Sequence, residues 1–155
     1  RNAGAGTLLR LAAEAWADRA GGTSGAIWGV MLNALSVTLG DEDEPTPERY
    51  ALGITKARED VMTFGKARLG DKTLVDALVP FSETLERAVA AGDDFSQAWR
   101  KAVDASASAA QATADMKPKM GRARPLAEKS LGTPDPGAIS LSLIVGAIQP
   151  VVDRR

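Results

Sequence analysis

Apolar residues along the 155-residue chain recur every three to four positions, which is the spacing of an α-helix. Between residues 7 and 20 the apolar stripe consists of Leu8, Leu11, Ala12, Ala15 and Trp16. This pattern predicts an amphipathic helix that ends at Gly21 and Gly22. Residues 27–39 are apolar almost all round the helical wheel, as far as Gly40, and predict a second helix that is the most buried element of the chain.

Helix-start signals predict the remaining elements. The signals are Thr46 before Pro47, Asp94 three residues before Gln97, and Asp135 before Pro136. The third helix is expected to reach about residue 68, and a fourth to cover about residues 73–91. Residues 139–148 also suit a strand by composition, but the preceding start signal and the lack of a partner strand favour a helix. The predicted fold class is all-α, an antiparallel bundle of about five or six helices.

The composition excludes several partners and reactive groups. The chain carries 19 basic and 20 acidic residues, a net charge of −1, which argues against nucleic acid as a partner. It contains no Cys and no His, which excludes thiol and imidazole chemistry. The most apolar window, residues 26–39, is shorter than the roughly 20 residues that span a bilayer. The protein is therefore expected to be soluble and cytoplasmic, with no membrane partner.

Two conspicuous features are interpreted as structural. Trp16, Trp28 and Trp99 lie on apolar helical faces, which favours core packing over stacking on a nucleobase. The acidic run 41–44 lacks the alternating ligands of a calcium loop, so a solvated surface loop is expected there. Neither feature points to a ligand.

The candidate chemistry lies at three helix ends, of which the first corner is residues 21–26, Gly-Gly-Thr-Ser-Gly-Ala. Glycines let backbone N–H groups approach a ligand, and a helix start carries partial positive charge. The hydroxyls of Thr23 and Ser24 can donate to an oxyanion. This combination predicts a phosphate site; the alternative is a tight turn in which Thr23 or Ser24 caps the second helix.

The second corner is residues 69–76, Leu-Gly-Asp-Lys-Thr-Leu-Val-Asp. Its structural interpretation is a turn at Gly70 with Asp71 as the N-cap of the fourth helix. Its functional interpretation is a helix start that offers amides, the Lys72 ammonium and the Thr73 hydroxyl to phosphate oxygens or to a sugar.

The third corner comprises residues 120–126 and 132–138, within an aperiodic segment that is rich in glycine, proline and basic residues. Arg122 and Arg124 beside glycine suit bidentate phosphate contacts, and Asp135 can cap the last helix. Helix connections in bundles usually run about 2–8 residues. A longer basic excursion is as consistent with a ligand site as with a connection.

Taken in order and spacing, residues 21–26, 70–76, 121–123 and 135–138 resemble the nucleotide-binding L domain of dihydroxyacetone kinases. The resemblance covers nearly the whole chain, and residues 129–132 add to it. It implies a helical barrel with the nucleotide at one end. The positions that it implies in binding are Gly22, Thr23 and Ser24 at the phosphates, Gly70 and Thr73 lining the site, Gly121 and Arg122 near the nucleotide, and Asp135, Pro136 and Gly137 as a wall beside adenine and ribose.

The resemblance also implies what this chain does not carry. In the family, two magnesium ions are held by an Asp-rich loop before the first corner, and a separate K domain binds the ketose covalently through His. No such loop precedes Gly21, and the upstream candidate, Asp18, lies inside the first predicted helix. No metal ligand or catalytic residue is therefore assigned, and the chain alone is expected to be inactive.

These expectations combine into one functional hypothesis. Residues 1–155 are predicted to be a single L-type domain that presents ATP, or an ADP that a partner rephosphorylates, to a ketose held by a K domain. The start at Arg1 favours a fragment lacking the metal loop and first helix; a degenerate domain is the alternative. Many family members carry Ser-Tyr where this chain has Arg124-Pro125. This difference suggests a subgroup that acts on another small ketose, such as erythrulose, so erythrulose is a candidate substrate beside dihydroxyacetone. The full-length chain could also form a homodimer. The alternative function is a non-catalytic module that senses a nucleotide or scaffolds a partner.

Overall fold

The computed structural model describes residues 3–120 and 124–155, and every regular element in them is a helix. The α-helices of the described residues are α1 (Ala5–Ala20), α2 (Gly22–Leu39), α3 (Pro47–Gly65), α4 (Val75–Ala90), α5 (Phe95–Ala112) and α6 (Pro136–Val152). Two 3₁₀ segments, Thr113–Asp115 and Arg124–Ser130, lie between α5 and α6. The all-α prediction is confirmed, and residues 139–148 are helical rather than extended.

The chain divides into two compact units. Arg1–Lys66 contains α1, α2 and α3, and α2 contacts both of its neighbours. Ala67–Arg155 contains α4, α5 and α6, and each of these helices contacts the other two. The first corner therefore belongs to the first unit, whereas the second and third corners belong to the second unit.

In the first unit, glycines allow α1 and α2 to approach closely. A Cβ atom on Gly25 would lie 3.3 Å from the Cβ of Ala20, and one on Gly29 would lie 3.4 Å from the Cβ of Ala17. Glycine at these positions, four residues apart on one face of α2, leaves room for the facing helix. Around Gly25 and Gly29 the contact between the two helices is consequently built from small residues.

The apolar stripe predicted for α1 lies largely outside this small-residue contact. Leu8 is 57% exposed and Trp16 is 39% exposed, and Leu11, Ala12 and Ala15 are exposed as well. The predicted stripe therefore exists, but it is not buried. Core packing was the wrong expectation for Trp16, whose ring stacks on Trp28 with 5.1 Å between centroids.

The most buried helix is α4 rather than α2. Ten of the 16 residues of α4 are buried, against five of the 18 residues of α2. The prediction for α2 was wrong because a helix that is apolar all round is buried only on the sides that neighbours reach, and Val37 of α2 stays exposed. In the second unit, Phe81 of α4 packs edge-on against the buried Trp99 of α5, with ring centroids 4.9 Å apart. The core position expected for Trp99 is thus confirmed.

Local hydrogen bonds explain where α3, α5 and α6 begin. The Thr46 hydroxyl accepts a hydrogen bond from the Arg49 amide at 3.2 Å. The Asp94 carboxylate accepts from the Ser96 amide at 3.1 Å, and Asp135 from the Ala138 amide at 2.8 Å. Each bond satisfies an amide that the first helical turn leaves without a backbone partner, so the three residues begin their helices as predicted. At Asp94 the donor is the Ser96 amide rather than that of Gln97, the residue that made up the predicted signal.

The acidic run 41–44 is exposed, as expected for a surface loop. Its first residue has an additional structural role, since the Asp41 carboxylate accepts hydrogen bonds from the amide and hydroxyl of Thr7 at 2.8 and 2.6 Å. These bonds, the hydroxyl bond foremost, lower the pKa of Asp41. Within the residues described, no helix combines the length and hydropathy that a membrane crossing requires.

Candidate functional site

The first corner forms an open helix start. Gly21 and Gly22 both have φ of 60°, and nothing lies within 4 Å of where their Cβ atoms would be. This left-handed backbone starts α2 at Gly22, so Thr23 and Ser24 lie in its first turn and Gly21 occupies the N-cap position without a side-chain cap. The prediction that Thr23 or Ser24 caps the helix is therefore wrong.

The same geometry leaves the first corner available to an anion. The amides of Gly22, Thr23 and Ser24 are in the first turn, where an α-helix supplies no backbone acceptor. All three residues are exposed. Amides and hydroxyls at the positive end of an 18-residue helix are a combination that binds phosphate or carboxylate oxygens.

The second corner is organised by Asp76, a residue to which the sequence analysis gave no role. Asp76 is only 3% exposed. Its carboxylate accepts hydrogen bonds from the amides of Gly70 at 2.6 Å and Thr73 at 2.9 Å. The Thr73 hydroxyl in turn accepts from the Val75 amide at 3.1 Å. The signal that could have identified Asp76 is a carboxylate within the apolar run 74–79.

The predicted N-cap at Asp71 is wrong. The residue that precedes α4 is Leu74, and the Asp71 carboxylate accepts instead from the Arg68 amide at 2.8 Å. Residues 68–71 form a β-turn, in which the Asp71 amide donates to the Arg68 oxygen at 3.2 Å. Asp71 therefore lies before the start of α4 rather than at its N-cap. Asp76 takes over the task of satisfying the amides at this corner.

Lys72 was expected to offer its ammonium to phosphate oxygens. In the structure the residue is buried, and its Nζ donates to the carbonyl oxygen of Ser130 at 2.7 Å and to the Ser130 Oγ at 3.3 Å. The second corner is thereby joined to the segment between the two parts of the third corner.

The third corner places Asp135 and Pro136 at the start of α6. The Asp135 amide donates to the Thr113 hydroxyl at 2.8 Å, which fixes the N-cap against the end of α5. A Cβ atom on Gly137 would lie 3.4 Å from the Cβ of Leu74. The second and third corners therefore lie side by side in the second unit, and Gly137 allows this close approach.

Of the predicted site residues, the structure thus brings five together. They are Gly70, Thr73, Asp135, Pro136 and Gly137. Gly22, Thr23 and Ser24 form the exposed helix start of the first unit. Gly121 and Arg122 lie outside the described residues.

Burial raises the pKa of Asp135 above its ordinary value of 3.8. Hydrogen bonds from the Ala138 and Gly137 amides oppose this effect, the negative charge of Asp76 reinforces it, and the positive charge of Lys72 opposes it. The folded protein therefore holds a proton on Asp135 more tightly than the unfolded chain does.

The raised pKa of Asp135 predicts a pH-dependent stability difference. A raised folded-state pKa gives a contribution that is fully present below about pH 3.8 and is lost as the pH rises through the folded-state value. Asp135→Asn keeps a cap for the Ala138 amide and removes the titration. We expect the wild type to become more stable relative to this variant as the pH falls from 7 to 4. Urea unfolding of both proteins across this range measures the difference; parallel pH profiles would contradict the assignment.

No group of three or more Asp or Glu side chains in the described part of the chain is placed to hold a metal ion. Asp18 is exposed on α1. The residues described here therefore do not fit the pair of magnesium ions that the resemblance implies, and no step of the chemistry is routed through a metal on this chain.

Comparison with known families identifies the family of the chain. Residues 1–149 match the profile of the DAK2 domain. The chain belongs to the DAK2 domain family. The match covers all three corners and both units, so the resemblance to the L domain of dihydroxyacetone kinases is confirmed.

Two curated relatives of this DAK2 domain are erythrulose kinases. The chain is 60% identical over 153 residues to an L-erythrulose kinase of Pectobacterium atrosepticum, covering 99% of this chain and 26% of that protein. It is 49% identical over 150 residues to a D-erythrulose kinase of Mycolicibacterium smegmatis, covering 97% of this chain and 26% of that protein. The chain thus spans about a quarter of the length of these relatives.

Solved structures share the fold. The DAK2 domain aligns with the native dihydroxyacetone kinase of C. freundii at a TM-score of 0.68 and 25% identity, covering 94% of this chain and 24% of that one. A second structure of the C. freundii enzyme, in complex with AMP-PNP and Mg²⁺, aligns at a TM-score of 0.64 and 24% identity over 95% of this chain and 23% of that one.

Proposed function

We propose that residues 1–155 act as one ATP-binding domain of a small-ketose kinase, whose substrate is erythrulose or dihydroxyacetone. The observation that carries this proposal is the exposed, uncapped start of α2 in a chain of the DAK2 family. Two kinds of relative support it: the erythrulose kinases, and the kinase whose structure contains AMP-PNP.

The first corner is proposed to bind the phosphates. Amides of Gly22, Thr23 and Ser24, together with the two hydroxyls, donate to phosphate oxygens, and the helix dipole favours the negative charge. The glycines at 21 and 22 leave space for the phosphate, because no atom lies within 4 Å of their Cβ positions. Because glycine has no side chain, neither glycine blocks access of a phosphate to the amides at the start of α2.

The second and third corners are proposed to bind the nucleoside. Gly70 and Thr73 line the site, and Asp135, Pro136 and Gly137 form the wall beside adenine and ribose. Asp76 supports this arrangement by holding the amides of Gly70 and Thr73. Gly121 and Arg122 are proposed to approach the nucleotide from the basic segment.

The proposed reaction is an in-line phosphoryl transfer. A primary hydroxyl oxygen of the ketose forms a bond to the γ-phosphorus of ATP as the bond to the β,γ-bridging oxygen breaks. The products are a ketose phosphate and ADP, and the hydroxyl proton is released. In this proposal the DAK2 domain binds and orients the nucleotide, whereas a separate K domain holds the ketose. No residue of this chain is assigned to the proton transfer.

Other elements of the proposal concern the whole protein. Magnesium is proposed as the ion that accompanies ATP, and no residue of this chain is assigned to bind it. A cytoplasmic location suits an enzyme that consumes ATP. The partner is the K domain or subunit, and neither nucleic acid nor a membrane is part of the proposed function.

The activity is tested with the full-length protein that contains this sequence. ATP and magnesium are supplied, and the release of ADP is measured with and without erythrulose or dihydroxyacetone. The proposal expects ADP release that depends on one of these ketoses. If neither ketose stimulates ADP release and AMP-PNP does not bind, the kinase assignment fails and the non-catalytic module is favoured.

Arg122→Ala tests the role proposed for the basic segment. A charge-assisted hydrogen bond contributes about 1.5–3 kcal/mol, so loss of the guanidinium is expected to raise the Kd for AMP-PNP by roughly tenfold to a hundredfold. Helicity measured by circular dichroism should be unchanged. Arg87→Ala, which removes an exposed arginine on α4, is the matched control and should leave the Kd unchanged. Equal affinities of the two variants would count against the role of Arg122.

A further inference from the structure

A buried lysine joins the second corner to the segment between the two parts of the third corner. Lys72 is 4% exposed, and its Nζ donates to the main-chain oxygen of Ser130 at 2.7 Å and to its Oγ at 3.3 Å. Ser130 is the last residue of the 3₁₀ segment Arg124–Ser130 and lies 58 positions further along the chain. The ammonium therefore joins two segments that are distant in sequence.

The backbone of Lys72 is unfavourable for a residue with a side chain. Its φ is 59°, in the left-handed region that disfavours residues with a Cβ atom and that glycine adopts without strain. Glycine already occupies the left-handed position two residues earlier, at Gly70. The hydrogen bonds of the Lys72 ammonium offset the cost of this backbone conformation and the cost of burying the side chain.

Ser130 lies at the base of the turn that leads to α6. Its main-chain oxygen also accepts a hydrogen bond from the Thr133 amide at 3.1 Å. The Gly132 amide then donates to the Ala114 oxygen at 2.8 Å, and the Asp135 amide to the Thr113 hydroxyl at 2.8 Å. Fixing Ser130 therefore fixes the path of the chain into the N-cap of α6.

We propose that Lys72 is a positioning residue that holds the turn at 130–133, and with it the wall at 135–137, without contacting the nucleotide itself. This role rests on the proposed function in one respect, namely that the wall binds adenine and ribose. The contribution of Lys72 to the pKa of Asp135 supports the same placement of its charge. Loss of the ammonium should therefore impair binding of the nucleoside rather than binding of the phosphates.

Hydrogen exchange tests the positioning without any ligand. In the full-length protein, Lys72→Met removes the ammonium, and Lys72→Gly removes it while relieving the left-handed strain, so that a folding defect is less expected. Both should accelerate exchange of the Gly132 and Thr133 amides by about tenfold or more. Lys72→Arg keeps a donor in place and should remain within about threefold of the wild type. Unchanged exchange in Lys72→Gly would overturn the proposal.

Lys129→Met is the matched control for these exchange measurements. It removes the charge of an exposed lysine that is adjacent to Ser130 in sequence. Exchange of the Gly132 and Thr133 amides should stay within about twofold of the wild type. Acceleration equal to that of Lys72→Gly would show that loss of any nearby positive charge loosens the turn, which would overturn a specific role for Lys72.

Ligand binding distinguishes positioning from a phosphate contact. The Kd values of adenosine, ADP and ATP are measured for the wild type, Lys72→Gly and Lys72→Arg. Positioning predicts a similar loss for all three ligands in Lys72→Gly, about tenfold, and recovery in Lys72→Arg. A loss confined to ADP and ATP would mean that Lys72 contacts phosphate and would overturn the proposal. If the wild type binds none of the three, the proposed function fails, and the exchange result alone decides the role of Lys72.

Discussion

Replacing Asp76 with alanine is expected to lower the free energy of unfolding by about 3–5 kcal/mol. The buried carboxylate accepts two backbone hydrogen bonds, from Gly70 and Thr73, and a hydrogen bond to a charged group contributes about 1.5–3 kcal/mol. Alanine would leave two amides without their acceptor. Asp76 also lies in the first turn of α4, where its negative charge favours the helix.

Urea unfolding of Asp76→Ala and of a matched control measures this loss. The control is Asp104→Ala, which removes an exposed carboxylate from α5 and should change stability by less than about 0.5 kcal/mol. Asp76→Asn should fall between the two, because one amide oxygen can accept while its NH₂ group faces a second donor. Equal stability of Asp76→Ala and Asp104→Ala would show that the carboxylate does not organise the second corner.

Ser24→Glu is expected to weaken nucleotide binding and to stabilise the helix at the same time. The first turn of α2 contains no acidic residue, so a carboxylate there should interact favourably with the helix dipole by about 0.3–1 kcal/mol. The same charge would repel a phosphate bound at the amides. At about 5 Å and an effective dielectric constant of about 20, the repulsion is roughly 3 kcal/mol, or about a hundredfold in Kd.

Ser24→Gln separates charge from size in this experiment. It fills nearly the same space as glutamate and loses the same hydroxyl, but it adds no charge, so its Kd for AMP-PNP should rise by less than about tenfold. Calorimetric titration gives the Kd values, and thermal unfolding gives the stabilities. Undiminished AMP-PNP affinity in Ser24→Glu would remove the first corner from the nucleotide site.

Helix starts were predictable because their signals are local. Thr46, Asp94 and Asp135 each accept a hydrogen bond from an amide two or three residues further along the chain, so the residue types and their spacing suffice to identify them. The first corner was predicted as a site but not in its geometry. Two successive left-handed glycines started α2 earlier than the hydroxyl residues indicated.

Burial was harder to predict than helicity. The stripe of α1 through Leu8 and Trp16 has helical spacing, but the period only identifies a face and does not reveal which neighbour covers it. In the structure, α1 approaches α2 at small residues such as Gly25 and Gly29, and of the exposed stripe Trp16 stacks on Trp28 of α2. A large apolar face and a small-residue contact face can coexist on one helix pair, and the sequence pattern emphasises the larger side chains.

The residues that hold the candidate site in place could not be predicted from the spacing of residue types along the sequence. Asp76 reaches back to Gly70, and Lys72 reaches Ser130, only because the chain turns tightly between residues 68 and 74. The family resemblance identified the positions around Asp135 that are proposed to touch a nucleotide. It did not identify the residues that hold those positions in place, since these depend on the backbone path.

The most direct test of the account is a footprint of AMP-PNP on the full-length protein. Amide hydrogen exchange is followed with and without a saturating concentration of AMP-PNP and magnesium. The account predicts slower exchange at the amides of Thr23 and Ser24, where the phosphates are proposed to bind, and at residues 70–73 and 137–138 beside the nucleoside. Protection elsewhere with unchanged exchange at Thr23 and Ser24, or no protection at all, would contradict it.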